Sequence, residues 1–430
     1  MARKLTKREQ KKVNKFIFAN WKFFLVLLLL VVTLGIVAYY MGWLNIIFKP
    51  EDEEPPILST AGGHITEVNS FGDLEVNFLN VGQADCIVIE LPDGMTMMID
   101  TGDGSIGATE KSNATEKKVI ENFLSANNIS VVDYLLITHS DADHVGNAAW
   151  LLENYPVRFI FRPHVYSNND ISENIPSDFN VQPTDSKTFI SNSDIYAKFI
   201  VAAYNEGCTV EYFNKDSDFT NTLKCGDEEK SYLFNFLTPT AKREEISYKD
   251  ANNFSPIMML EYAGKRFMFN GDAELENIEE YVTNYGDAYN VDVLKVGHHG
   301  STNATTEEYI TAIDPEYAVI QNGWVEKYKH PHQSTLDILS AHDDGVAIYR
   351  TDNNGNILCT VTADGEMSWS FDDNDMSKNL FNGTKMLELL DEKLTLSIDR
   401  NINGIERLQE FISLCIIENG NDKRKNALCA

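Results

Sequence analysis

The sequence predicts an α/β domain of two packed β-sheets with helices on the outer faces, preceded by a single membrane-spanning helix. Three observations carry this. Phe23 to Phe48 is a run of twenty-six residues without a charge. Apolar segments of strand length recur from Leu74 to Phe371, in two halves with helical segments between them, as packed sheets with outer helices require. Several of those strands run directly into Asp or His, so the strand ends converge on chemistry.

The uncharged run exceeds the roughly 20 residues a helix needs to cross a bilayer. Tyr39, Tyr40 and Trp43 stand late in it, where aromatic rings meet an interface, and Trp21 and Lys22 mark its other edge. Residues 1–22 hold eight basic residues and one acid, Glu9, a local charge of +7, whereas Pro50-Glu-Asp-Glu-Glu-Pro-Pro56 follows the run. Positive charge stays on the cytoplasmic side, so residues 1–22 are expected in the cytoplasm and the bulk of the chain outside the cell membrane. A cleaved signal peptide is the alternative, but the run is long for one and no clear A-x-A site follows. No second run of this length exists, which excludes a channel or transporter.

Residues 49–70 are polar, contain Pro50, Pro55, Pro56, Gly62 and Gly63, and read as a linker. LEVNFLN (74–80), CIVIEL (86–91) and MTMMID (95–100) read as strands, the last two joined in a hairpin at Pro92-Asp93-Gly94. Residues 115–128 place Val119, Ile120, Phe123 and Leu124 at helical spacing. VVDYLLIT (131–138) reads as a buried strand. Residues 166–230, rich in Asn, Asp and Ser, read as long loops with a few short elements. Strands resume at 231–237, 256–262 and 265–271, followed by a helix near 274–285 and the strand VDVLKV (291–296). A helix, strand, helix and strand pair then reach Phe371. The folded domain is expected over 71–372. Residues 373–430 carry two further helical segments, near 384–394 and 404–417, and a basic end to which no function is assigned.

The net charge of −29 repels polyanions and excludes a domain that binds nucleic acid over its whole face. Bound cations would reverse that sign locally. The six cysteines form no C-x-x-C pair, so a thiolate zinc site is not expected. Cys208 and Cys225 could pair outside the cell; otherwise they serve as small hydrophobes.

The strongest motif is Thr138-His139-Ser140-Asp141-Ala142-Asp143-His144, between a strand and a helix. Two imidazoles and two carboxylates so close together are costly unless paired or bound to a cation. This ligand set suits zinc, manganese or iron(II). On a tight loop His139 and Asp141 can point one way and Asp143 and His144 another. The alternative is a polar capping loop with Ser140 or Asp141 as N-cap. Three other pieces favour a metal site. Asp272 follows the strand FMFNG, His298 and His299 follow the strand VDVLKV, and His330-Pro331-His332 precedes a helix. Asp100 follows the third strand, where a carboxylate can orient metal-binding histidines from behind. Asp85 is expected to be buried, tying the first turn to the loop beneath the metals.

In order, these pieces resemble the metallo-β-lactamase superfamily over roughly residues 71–372, and within it the soluble extracellular domain of ComEC-type competence proteins. The stretches that carry the resemblance are NVGQADCIVI, IDTGDG, LLITHSDADHVGN, FMFNGD, LKVGHHGST, KHPH and YRTDNNG. It implies a four-layer αβ/βα sandwich with a two-metal site at its open edge. Most of the superfamily uses H-x-H-x-D-H; here Asp141 holds the second position, as in the ComEC type, which speaks against a β-lactamase or glyoxalase. Asn80 stands where the family commonly has Asp, and Ala84 where it has Gly.

The resemblance implies two divalent metal ions, zinc or manganese. His139 and Asp141 would bind one, Asp143 and His144 the other, with Asp272 bridging and one histidine of the 298/299 pair, His299 by preference, completing the set. Asp143 would orient or deprotonate a water, and the other histidine of the pair, His298, would stabilise the phosphoryl oxygens or protonate the leaving group; the roles of His298 and His299 could be reversed. Ser301 and His330 would touch substrate, and Asp85 and Asp100 would support the ligands. The family's multi-spanning channel is not in this sequence, so DNA uptake is not implied. The expected activity is phosphodiester hydrolysis, with DNA as substrate. Two alternatives stand beside it: a hydrolase of cell-envelope phosphodiesters such as phosphorylcholine on teichoic acid, and a non-catalytic binding module.

Overall fold

The computed structural model describes residues 64–104, 110–168, 175–176, 179–180, 189–241, 245–323, 328–342 and 345–372. The apolar run 23–48 and the segment 373–430 lie outside them. No helix among the described residues is long and apolar enough to cross a membrane.

Strand β1 (His64–Glu67) opens the described chain, and β2 (Leu74–Phe78), β3 (Ile87–Glu90) and β4 (Thr96–Ile99) form an antiparallel meander. The β3–β4 hairpin turns at Pro92-Asp93-Gly94 as expected, with Gly94 at φ 84°. Helix α1 (Glu110–Ala126) carries the chain over to β5 (Val132–Leu136), which pairs in parallel with β4. A parallel neighbour needs such a crossover. Helices α2 (Ala142–Val145) and α3 (Ala148–Asn154) lead to β6 (Val157–Arg162), again parallel.

β7 (Tyr166–Ser167), β8 (Ile190–Ser191), helix α4 (Asp194–Glu206), β9 (Thr209–Tyr212) and β10 (Phe219–Cys225) occupy the stretch read as long loops. That expectation is corrected by α4 above all. Tyr196, Ala197, Phe199, Ile200 and Ala203 are its buried stripe. Ser193 caps it by accepting from Tyr196 N, and Gly207, at φ 70°, ends it. Both caps were in the sequence, hidden among the polar residues around them. β1 lies within the stretch read as linker and pairs in parallel with β10.

The second half repeats the plan. β10, β11 (Glu228–Phe236), β12 (Met258–Tyr262) and β13 (Lys265–Phe269) run antiparallel. Helices α5 (Leu275–Tyr285), α6 (Glu307–Ile313) and α7 (Gln333–Ala341) then cross over to the parallel strands β14 (Val293–Lys295), β15 (Tyr317–Ile320) and β16 (Ala347–Arg350). Helix α8 (Thr351–Asn354) and strands β17 (Ile357–Val361) and β18 (Met367–Phe371) return to the first sheet. The sheet orders are β18-β17-β2-β3-β4-β5-β6-β9 and β1-β10-β11-β12-β13-β14-β15-β16.

Three apolar cores define four layers. Between the sheets lie Phe78, Ile89, Phe161, Phe219, Phe234 and Phe269 with their neighbours. Val88, Met98 and Leu135 turn outward against Ile120, Leu124 and Phe199 of the first helical layer. Met268, Leu294 and Ile320 meet Ile278, Tyr281 and Tyr309 of the second. Strict alternation in β2 puts Leu74, Val76 and Phe78 inward while Glu75 and Asn77 face out. Phe161 and Phe219 stack across the sheets with centroids 5.8 Å apart; truncating such a ring to Ala costs about 3–5 kcal/mol. The mixed α/β sandwich is the expected architecture. The parallel strands β5, β13 and β14 all end at one edge, where the polar loops collect.

Candidate metal centre

The site grows from the end of β5. Parallel pairing with β4 sets Asp100 beside it, and Asp100 N donates to Leu136 O at 2.9 Å. The buried Asp100 carboxylate accepts from Thr138 N at 2.8 Å and Thr138 Oγ1 at 2.7 Å. His144 Nδ1 lies 2.7 Å from its Oδ2. Asp141 occupies the cap position of α2 but its side chain makes no capping bond. The capping alternative therefore does not explain this carboxylate, which stands about half exposed.

The second half supplies the facing wall. Gly271, at φ 49°, turns the chain after β13 where a Cβ would meet Ser255 and Thr138 at 2.9 Å. Asp272 N then donates to Ser255 Oγ at 3.0 Å. After β14, His298 and His299 both adopt left-handed backbone, φ 45° and 52°. Side chains rarely accept this conformation unless the surroundings impose it. His299 is buried and His298 partly open.

Asp143, His144, Asp272 and His299 each offer a ligand atom, all within 4.8 Å of one another. His144 Nε2 is 3.1 Å from Asp272 Oδ1, and His299 Nε2 is 3.3 Å from Asp143 Oδ2 and 3.7 Å from Asp272 Oδ2. His139 sits beside His144, ring centroids 4.2 Å apart, and its Nε2 is 4.0 Å from Asp141 Oδ2.

The partners behind the rings fix their orientation. His144 Nδ1 faces a carboxylate, and His299 Nδ1 faces the Gln321 carbonyl oxygen at 2.9 Å, both of which only accept. Thr138 gives its one hydroxyl proton to Asp100, so it can accept from His139 Nδ1 at 3.1 Å. In His144 and His299 Nδ1 therefore carries a hydrogen, and Nε2 is the nitrogen left to ligate. His139 Nε2 is buried without a hydrogen-bond partner, and His144 Nε2 and Asp272 Oδ1, also buried, face only each other as an ion pair at 3.1 Å. Buried polar atoms are seldom left so. A mixed imidazole and carboxylate set converging on one space fits divalent metal.

The charges are strongly coupled. Burial works against ionised Asp272, but His144, His299 and His298 outweigh it and hold the carboxyl well below its usual range. Burial also opposes the imidazolium of His299, yet Asp272, Asp85 and Asp143 raise that ring to about 10. His144 is likewise raised by Asp272 and Asp100 against its burial. His139 is lowered by burial and by His144. Without a cation, protons on His144 and His299 balance the carboxylates.

The supporting groups include residues the sequence reading did not single out. Asp85 is buried beneath His299, its Oδ1 3.3 Å from Nδ1, and pairs through Oδ2 with the buried Lys295 Nζ at 2.6 Å. A lysine in the otherwise apolar end of VDVLKV was the available signal. Glu274 holds His298 Nδ1 at 2.9 Å and accepts from Asn252 Nδ2 at 3.1 Å. Ser255 braces both Asp272 N and His139 Nδ1. Neither Glu274 nor Ser255 stands out in the sequence, since each matters only through contacts made on folding. His330 lies over this edge, 5.3 Å from the His298 ring, with Nδ1 3.2 Å from Gln83 Nε2. Ser301 Oγ accepts from Asn303 N and so steadies the turn that carries the two histidines. The Cys225 thiol is not in a disulfide, so the pairing with Cys208 considered above is not formed.

Residues 79–166 match the metallo-beta-lactamase superfamily. The chain thus carries a domain of that superfamily, a fold typical of metal-dependent hydrolases, with a ligand cluster suited to metal. Its relatives are of the ComEC type. It is 32% identical over 293 residues to ComE operon protein 3 of Bacillus subtilis (strain 168), covering 66% of this chain and 32% of that protein. It is 34% identical over 122 residues to competence protein ComA of Neisseria gonorrhoeae, covering 28% of this chain and 17% of that one. The chain thus spans a third or less of either relative. Among solved structures it is similar to the metallo-beta-lactamase fold protein YhfI from Bacillus subtilis, at 11% identity and a TM-score of 0.34, over 64% of this chain and 96% of that one.

Proposed function

We propose that this protein is a metal-dependent phosphodiesterase that cleaves DNA at the outer face of the cell membrane. The observation that carries the reading is the convergence of ligand atoms from Asp143, His144, Asp272 and His299 within 4.8 Å, beside the buried and unpartnered His139 Nε2. His139, Asp141, Asp143, His144, Asp272 and His299 would hold two divalent cations, zinc or manganese. Bound there, such cations supply Lewis acidity and an activated water at neutral pH.

The protein's own groups do the rest. Asp100 sets the His144 ring, and the Gln321 carbonyl with Asp85 sets His299. The Asp143 carboxylate, open to solvent over 34% of its surface, can take a proton from water entering the site. His298, held at Nδ1 by Glu274, has its Nε2 3.6 Å from Asp272 Oδ2 beside the ligand cluster, and can give a proton to a departing oxygen there. Burial and the neighbouring His298 and His299 push His330 down to about 4, so it is neutral. Gln83 Nε2 donates to its Nδ1, which fixes the hydrogen of the neutral ring on Nε2.

DNA is favoured by the ComEC-type motifs and by a relative named as a competence protein. Residues 23–48 would be the single-pass anchor, 1–22 cytoplasmic, 49–70 largely a spacer and 71–372 the extracellular hydrolase. A second reading is favoured by the charge of −29: a small cationic headgroup in a cell-envelope phosphodiester, such as phosphorylcholine on teichoic acid, suits an acidic surface.

The test uses the full-length chain in detergent with Mn²⁺ or Zn²⁺, assayed on single- and double-stranded DNA and on bis-p-nitrophenyl phosphate, with Asp143→Ala as control. DNA cleavage by the wild type alone supports the nuclease. Cleavage of the small diester alone moves envelope phosphodiesters to first place. Stoichiometric metal with no turnover leaves a binding module.

A further inference from the structure

We propose that the acidic groove between helix α1 and strands β2, β17 and β18 seats the basic end of this same chain, Lys423-Arg424-Lys425. The contact is independent of the metal centre and of the phosphodiesterase reading.

The groove has a volume of about 480 Å³. One wall is α1, which offers Val119 and Phe123, and the floor is the outer face of β2 and β17, with Asn77 and Leu358. Glu75, Glu90 and Asp372 also line it, and no Lys, Arg or His does. Glu75 and Glu90 stand directly opposite each other in the antiparallel pair of β2 and β3. Like charges so placed repel. Burial, with Glu75 beside it, pushes the Glu90 carboxyl above its usual range. Among the described residues neither carboxylate has an ion-pair partner.

The floor calls for more than positive charge. Asn77 is buried, and its Nδ2 has no hydrogen-bond partner. A buried amide donor is seldom left so. A bare cation or a polyamine carries no acceptor for it, whereas a peptide carries a carbonyl oxygen at every residue. The occupant that fits both features is a basic peptide.

The chain itself supplies one. β18 ends at Phe371, Asp372 lines the groove, and residues 373–430 follow, outside the described residues. Near their end Lys423, Arg424 and Lys425 are consecutive, and the apolar Ala427 and Leu428 come next, suited to the α1 wall. Residues 373–422 give the length to return to a groove that Asp372 already borders. Tethering makes the contact intramolecular, so weak charge contacts need no high protein concentration to form. Single surface ion pairs contribute little, but three carboxylates facing three cations in a partly buried groove make a network. The rim also reaches toward the metal centre. Asn356 Nδ2 donates to Asp372 Oδ2 at 2.6 Å, and Asn356 Oδ1 accepts from Asn80 N at 2.7 Å, at the turn that leads to Gln83 and Asp85.

The experiment treats the full-length chain in detergent, at low ionic strength, with a water-soluble carbodiimide. This reagent joins a carboxylate to a touching amine as an amide, and mass spectrometry maps the links. Lys423 or Lys425 is expected to be linked to Glu75, Glu90 or Asp372. In an equal mixture of ¹⁵N-labelled and unlabelled chains, both halves of each linked peptide should carry the same isotope. Glu75→Gln combined with Glu90→Gln removes a repulsion and should keep Tm. It should nevertheless lose the link to Asp372 and speed trypsin cleavage after Lys423, Arg424 and Lys425 severalfold. High salt should do the same to the unaltered chain, because it screens the charges, and this arm needs no substitution to fold. Three results each overturn the proposal: links to the groove only from lysines outside 423–425, links of mixed isotope, which give the groove to a second copy, and trypsin cleavage indifferent to both salt and the Gln substitutions.

Discussion

Asp100 and His144 are joined by a 2.7 Å hydrogen bond with both side chains buried, and through it the first half of the sandwich aims a nitrogen at the second. Asp100 accepts two further hydrogen bonds from Thr138, so the carboxylate cannot swing away. It sits at φ 59°, a left-handed conformation that Asp and Asn tolerate better than other side chains. Asp100→Asn should therefore fold, keep the backbone and lose the charge behind the ring. The expected result is a drop of about 10- to 100-fold in metal affinity. Competition with a metal chelator measures it, and an affinity equal to wild type would remove Asp100 from the centre.

Metal uptake should release protons. His299 is raised to about 10 by Asp272, Asp85 and Asp143 against its burial, and His144 is raised as well. Ligation needs Nε2 unprotonated, so a cation displaces those protons and its affinity climbs with pH. The stability of the chelated protein should move the other way. A ring whose folded pKa lies near 10, against about 6.5 unfolded, adds stability that is full below pH 6.5 and lost as pH rises toward 10. Calorimetry in buffers of different ionisation enthalpy should count at least one proton per metal site. Thermal melts of the chelated chain should fall across that window.

Much of this centre could be read before folding, and the reason is local. His139, Asp141, Asp143 and His144 share one loop, and Asp272, His298 and His299 each follow an apolar strand. What could not be read is the bracing. Lys295 meets Asp85 across 210 residues, and Ser255 meets His139 across 116. Such pairs leave no spacing to detect. The same holds for α4: its apolar stripe was present, but Asn and Ser around it raised the local polarity and hid the period.

Glu274 illustrates a residue that acts through another. Its carboxylate holds His298 Nδ1 at 2.9 Å, and Asn252 fixes the carboxylate. Burial tends to lower the His298 ring, while Asp272 and Glu274 raise it above its ordinary value. Glu274→Gln retains an accepting oxygen but removes the charge. The kcat for phosphodiester hydrolysis is expected to fall about 10-fold, part of what a general acid contributes, with KM within about twofold. The alkaline limb of the pH profile should move to lower pH, because His298 then loses its proton earlier. A uniform loss at every pH would mean that Glu274 only supports the fold.

The loop that carries Asp143 and His144 depends on a contact between two glycines. A Cβ on Gly146 would lie 1.9 Å from Gly104 N and 2.4 Å from both Ala142 O and Gly102 O. All three are backbone atoms, so nothing flexible can yield. Gly146 has an ordinary helical φ of −55°, which makes the constraint steric rather than conformational. Gly146→Ala should push α2 off the Asp100 turn and cost about 3 kcal/mol, toward the upper end for overpacking. Metal affinity should fall with stability, because the same shift carries His144 away from Asp100. Gly94→Ala is the contrasting case: a Cβ there meets nothing within 4 Å, but φ is 84°. Its cost comes from the left-handed backbone alone, about 1–2 kcal/mol, and its metal affinity should equal that of the wild type. Melting temperature and chelator competition on the two variants separate the effects. Equal metal loss in both would mean that general destabilisation, and not the seating of α2, governs the centre.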